Sequence, residues 1–157
     1  MITGTLTRLR GRELTRIAIS ATAHCLTGCA IGEIAGLAIG TALGWGTIAT
    51  MALAIALAFL FGYGLTSLPL LRAGFGIAAI IPLALASDTL SILTMEIADN
   101  GFILLVPGAM NAGLGDGLFW GSLAIALAIA FVTAIPVNRL LISRGRGHAG
   151  VHAHHRH

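Results

Sequence analysis

His24, Cys25, Cys29 and Glu33 fall within ten residues of one another, inside a long apolar run where such groups are out of place. Leaving an ionisable group in hydrocarbon costs about 2.5–3.5 kcal/mol on insertion scales, so residues of this kind within a span are candidates for function. At about 100° per residue, Cys25, Cys29 and Glu33 climb one helix face at i, i+4, i+8. His24 is rotated away from Cys25 and reaches the same place only with help from a neighbouring helix. A second set, Asp88, Ser91, Met95, Glu96 and Asp99, recurs close to one face of a later apolar run. Thiolate and thioether donors select soft ions, Cu(I) above all and Zn(II) also. Carboxylates gather cations and can accept the protons that thiols release on binding metal. The chemistry expected is a soft transition-metal site, or conduit, built from His24, Cys25, Cys29, Glu33, Asp88, Met95, Glu96 and Asp99. His148, His152, His154, His155 and His157 in the tail offer further ligands for a hand-off.

The same residues admit plainer readings. A cysteine in a membrane helix also serves as a small apolar filler, and Met51, Met95 and Met110 also serve as packing. Glu33 can form a structural hydrogen bond with His24 or with a hydroxyl on the third helix, and Asp88 can carry protons instead of metal. A disulfide between Cys25 and Cys29 has awkward geometry, because adjacent helix turns hold the Cα atoms about 6 Å apart. A thiol-redox protein linked to a quinone, or to a haem with His24 as axial ligand, is the alternative function. It lacks the adjacent cation or helix start that activates a thiol. A non-catalytic assembly subunit is the third. No phosphate loop, dinucleotide fingerprint or nucleophile with a positioned base is present, so the enzyme readings are the weaker ones.

The elements that must position these groups follow from composition. Of 157 residues, 57% are hydrophobic and only 10% charged, against about 25% charged in soluble domains. That balance predicts an all-α polytopic transmembrane bundle of about four spans, in contact with the lipid bilayer. The formal charge of +3 comes from arginines at the ends of apolar runs, with no lysine; it reads as topology, not as a nucleic-acid footprint. The first run is too long and too polar to be a cleavable signal. The chain divides into a basic lead at 1–16 lying on the membrane surface, a membrane domain at 17–142, and an Arg/His-rich tail at 143–157.

Within the membrane domain, crossings are expected at 17–43, 47–68, 73–98 and 118–141. Gly28, Gly32, Gly36, Gly40 and Gly44 stripe the first, and small residues at this spacing let two backbones approach in lipid; a homodimer is one use for such a face. Gly44-Trp45-Gly46 makes a tight turn with Trp45 at headgroup level. Pro82 bends the third crossing, and Asn100-Gly101 ends it. Phe102 to Val106 and the Gly-rich loop to Gly117 then dip back into the membrane where protein or water satisfies the backbone. No internal repeat supports an inverted-repeat transporter. The lead, the Arg72 loop and the C-terminal end are basic while the other two connections hold no arginine. Both termini are therefore expected in the cytoplasm. Counting from the helix starts at about 1.5 Å per residue puts Asp99, Glu96 and Met95 outermost. Asp88 and Glu33 come next at one level near the midplane, then Cys29, Cys25 and His24.

The motifs His24-Cys25-Leu26-Thr27-Gly28-Cys29 with Gly32-Glu33, and Met95-Glu96-Ile97-Ala98-Asp99-Asn100 with Pro107-Gly108-Ala109-Met110, resemble the bacterial membrane proteins of domain-of-unknown-function family 4396 (DUF4396). The likeness runs from about Ala18 through Pro136-Val137-Asn138-Arg139 and the histidine tail. It implies a small multi-pass protein of the bacterial plasma membrane and no established activity.

Overall fold

The computed structural model describes residues 2–144. Within them the chain forms four long helices: α1 (Ile2–Ala42), α2 (Thr47–Arg72), α3 (Ile77–Leu105) and α4 (Gly117–Ser143), with a 3-10 turn at Ala109–Asn111. No strand occurs among the described residues. Gly11–Ala42, Thr47–Arg72, Ile77–Leu105 and Gly117–Ser143 are each long and apolar enough to cross a bilayer, which needs about 20 residues. The chain is an all-α multi-pass membrane protein. Its surface fits that role: Ile31, Leu60, Ile97 and Val132 face outward from the four helices, while Thr22, Ser91, Asp88, Glu96, Asp99 and Asn138 are buried.

The first two connections share one construction. Gly44 adopts φ +67° and Gly74 φ +87°, a left-handed conformation that costs glycine nothing. Around Gly44 the amide of Trp45 donates to Gly40 O at 2.8 Å and that of Gly44 to Thr41 O at 3.1 Å; Phe75 to Leu70 O and Gly74 to Leu71 O repeat the pair at 3.1 and 3.0 Å. This paired pattern satisfies carbonyls left over at a helix end. A Gly-aromatic-Gly sequence therefore ends α1 and α2 and starts the helix that follows.

Helix α1 packs on α2 and α4, α3 packs on α4 and α2, and α1 and α3 meet across the middle. The glycine stripe is consumed by α2. A Cβ on Gly28 would come within 2.7 Å of Gly62 Cα; one on Gly32 or Gly36 would run into the backbone of Ala58 or Ala54, and one on Gly40 into Thr50. The two antiparallel backbones thus touch at three successive turns, and at the fourth Gly40 meets the Thr50 side chain, so α2 fills the stripe from Gly28 to Gly40. On α4, Ser122, Ala126, Ala130, Ala134 and Asn138 form the matching buried row.

Four boundaries differ from the sequence reading. α2 runs on through Pro69 to Arg72 instead of ending at Leu68. Residues 2–16 are helical and continuous with α1. α3 starts at Ile77, because Gly74-Phe75-Gly76 is a connector. Asn100-Gly101 does not break α3, which continues through Phe102 to Leu105, so these residues form no separate dipping segment. Asn100 is held in the helix by its own side chain, whose Nδ2 donates to Glu96 O at 3.0 Å and to Glu96 Oε2 at 3.1 Å. The tail histidines His148, His152, His154, His155 and His157 lie outside the described residues.

Candidate functional site

Helices α1 and α3 run in the same direction, and their polar residues face each other at matching turns. Cys25 stands against Ser91, with Asp88 close by. Cys29 stands against Glu96, with Glu33 next to it. Glu33 in turn faces Asp99 and Glu96. The result is a seam along the bundle axis in which Cys25, Cys29, Asp88, Met95, Glu96 and Asp99 are all 4% exposed or less. Ala58 of α2, Ile92 of α3, and Ala130 and Ala134 of α4 join both thiols and Met95 in one apolar core cluster. Ser87 Oγ donates to Asp88 Oδ1 at 2.9 Å. Both cysteines are free thiols.

The carboxylates are only partly satisfied. Both oxygens of Glu33, Glu96 Oε1 and Asp99 Oδ1 are buried with no hydrogen-bond partner among the described residues. Native structures rarely tolerate such atoms without a reason, a bound water or ion among them. As they stand, no three His, Cys, Asp or Glu side chains among the described residues are gathered closely enough to hold a metal ion. The donors come as facing pairs, Cys29 with Glu96 and Glu33 with Asp99, stacked one turn above another.

The depth order differs from the one counted along the sequence. Asp88 sits level with Cys25, not with Glu33, whose partner is Asp99. The count along the sequence starts α3 at residue 73, whereas it begins at Ile77, which moves Asp88 about 6 Å towards that end. Asp99 therefore stands with Glu33 at one end of the seam, and Glu96 with Cys29 one turn further in.

His24 leaves the seam. It is exposed, and its Nε2 lies 2.8 Å from Leu65 O on α2. Pro69 lies inside α2 and has no N–H to offer the carbonyl four residues earlier, which is Leu65. With Nε2 protonated, His24 donates the hydrogen bond that Pro69 cannot. That is a structural duty, since a bare carbonyl facing hydrocarbon is costly.

Two participants are missed by the sequence reading. Asn138 Nδ2 donates to Thr22 Oγ1 at 2.8 Å, both buried, and Thr22 donates to Ala18 O at 2.7 Å. This bond ties α4 to α1 one turn from Cys25, towards the helix ends that carry Arg12, Arg16 and Arg139. Asn100 is the other: its type suggests a helix breaker, yet it holds Glu96. Buried Asn in an apolar run is the cue both share.

A family model described as "Domain of unknown function (DUF4396)" matches residues 16–147. No curated protein and no solved structure matches the chain.

Proposed function

The chain belongs to the DUF4396 family, whose description assigns no activity, and on that footing we propose from its own geometry that it binds a soft transition-metal ion, Cu(I) or Zn(II), in the α1–α3 seam and passes it along that seam. One observation carries the reading: two free thiols, a thioether and carboxyls with oxygens that lack a close partner line one axis of the bundle. Cu(I) accepts a pair of thiolates, which Cys25 and Cys29 supply from adjacent turns of one helix. Glu96, Glu33 and Asp99 beside them take the protons that the thiols give up and offer oxygen donors to Zn(II). Small rotations of side chains that now stand in pairs complete the coordination. His24, bonded to Leu65, is not among the ligands. The haem reading loses its axial ligand with it.

The setting we propose is the bacterial plasma membrane, with both termini in the cytoplasm and the tail histidines receiving the ion. The deciding experiment is elemental analysis of detergent-purified protein loaded with Cu(I) or Zn(II), beside a Cys25→Ser, Cys29→Ser double variant of equal helicity. The wild type is expected to retain the ion and the variant to lose it. Full stoichiometry and affinity in the variant would overturn the reading.

A further inference from the structure

A cavity of about 340 Å³ sits at the end of the bundle that carries the 3-10 turn. Glu33, Leu37 and Thr41 line it from α1, Met51 from α2, Asn100 from α3 and Met110 from the turn. Thr41, Leu37 and Glu33 are successive steps of four residues along one face. From exposed Thr41 to Glu33 they descend roughly 12 Å at about 1.5 Å per residue. Glu33 and Asn100 belong to both the cavity and the seam: Glu33 faces Asp99, and Asn100 holds Glu96. Both Glu33 oxygens are buried without a hydrogen-bond partner among the described residues, as are Glu96 Oε1 and Asp99 Oδ1. An open cavity with a mostly apolar lining thus ends on Glu33, whose carboxyl faces that of Asp99.

Towards the opposite end a cross-helix bond ties the bundle. Below Cys25 the Asn138–Thr22 bond spans from α4 to α1 at 2.8 Å, with Ala18 fully buried beneath it. Pro136, two residues before Asn138, removes one backbone hydrogen bond from α4 at that level, which marks a place where a helix bends readily.

We propose that the cavity is the vestibule through which a hydrated cation reaches Glu33 and the seam, and that the structure is the state open at this end and sealed at the other by Thr22 and Asn138. The proposal rests on the cation chemistry proposed above and adds the route to it. Glu33 takes the ion at the floor, its hydration replaced by the carboxyls, by the Asn100 amide oxygen and, for a soft ion, by Met51 and Met110.

The test uses the purified full chain and a charged, water-soluble methanethiosulfonate reagent. Thr41→Cys and Leu37→Cys are expected to be modified, while Cys25 and Cys29 of the wild type stay intact. Ala18→Cys is expected to resist until Asn138→Ala is added. Once Leu37→Cys is modified, loading of Cu(I) or Zn(II) is expected to slow by about an order of magnitude, with treated wild type unchanged. A silent Leu37→Cys beside a reactive Thr41→Cys, an Ala18→Cys that reacts equally fast without Asn138→Ala, or loading indifferent to the block would each overturn the proposal. If the wild type binds neither ion, the cation chemistry fails, and the labelling pattern still decides which end is open.

Discussion

Cys25, Cys29 and Glu33 can be picked from the sequence because helical spacing and the cost of burying such groups both point inward, and all three do face α3. His24 cannot be placed so simply. One residue from Cys25 it is turned by about 100°, and what claims it is a carbonyl 41 positions away that Pro69 leaves without a donor. Removing its imidazole by His24→Ala should cost about 1–3 kcal/mol, the penalty for orphaning a polar group. In a Pro69→Ala background the same substitution should cost little, because alanine at that position supplies its own N–H to Leu65 O. Unfolding midpoints of the four proteins of this double-mutant cycle measure the difference, and equal costs in the two backgrounds would refute the assignment. The Thr22–Asn138 bond is illegible in the sequence for a related reason: its partners are 116 residues apart, and no local pattern joins them.

At the level of helices, the positions of the crossings are legible from apolar runs, and their ends are not. Gly44-Trp45-Gly46 stands out as a turn, whereas Gly74-Phe75-Gly76, built the same way, merges with the apolar run of the third crossing. Asn100-Gly101 has breaker residues, yet the Asn100 side chain bonds back one turn and the helix runs on. The glycine stripe is legible as a packing face, while its partner is not, since spacing alone cannot tell a helix of the same chain from one of another copy. Its role separates two kinds of glycine. Gly32→Ala puts a methyl into the Ala58 backbone, and overpacking of this sort costs about 1–3 kcal/mol. Gly64 on α2 has open space where its Cβ would be, so Gly64→Ala should leave stability unchanged or raise it by about 0.5–1 kcal/mol. Thermal unfolding in detergent should therefore fall for the first variant and hold or rise for the second, and a shared loss would contradict the packing described.

For the molecule as a whole, an even number of crossings puts the two ends of the bundle's chain on one side of the bilayer. Arg12, Arg16 and Arg139 line a common cavity at that side, and Arg72 closes α2 there. Arginine-rich ends are retained in the cytoplasm, so reporters fused at either terminus should both report a cytoplasmic location; a periplasmic signal from either would reverse the orientation proposed for the seam. The contact between α1 and α2 sets what motion is open to such a protein. Backbones notched into one another at Gly28, Gly32 and Gly36 can neither slide nor roll without lifting apart. That hairpin is a fixed plank, so any rearrangement of the bundle falls to α3 and α4.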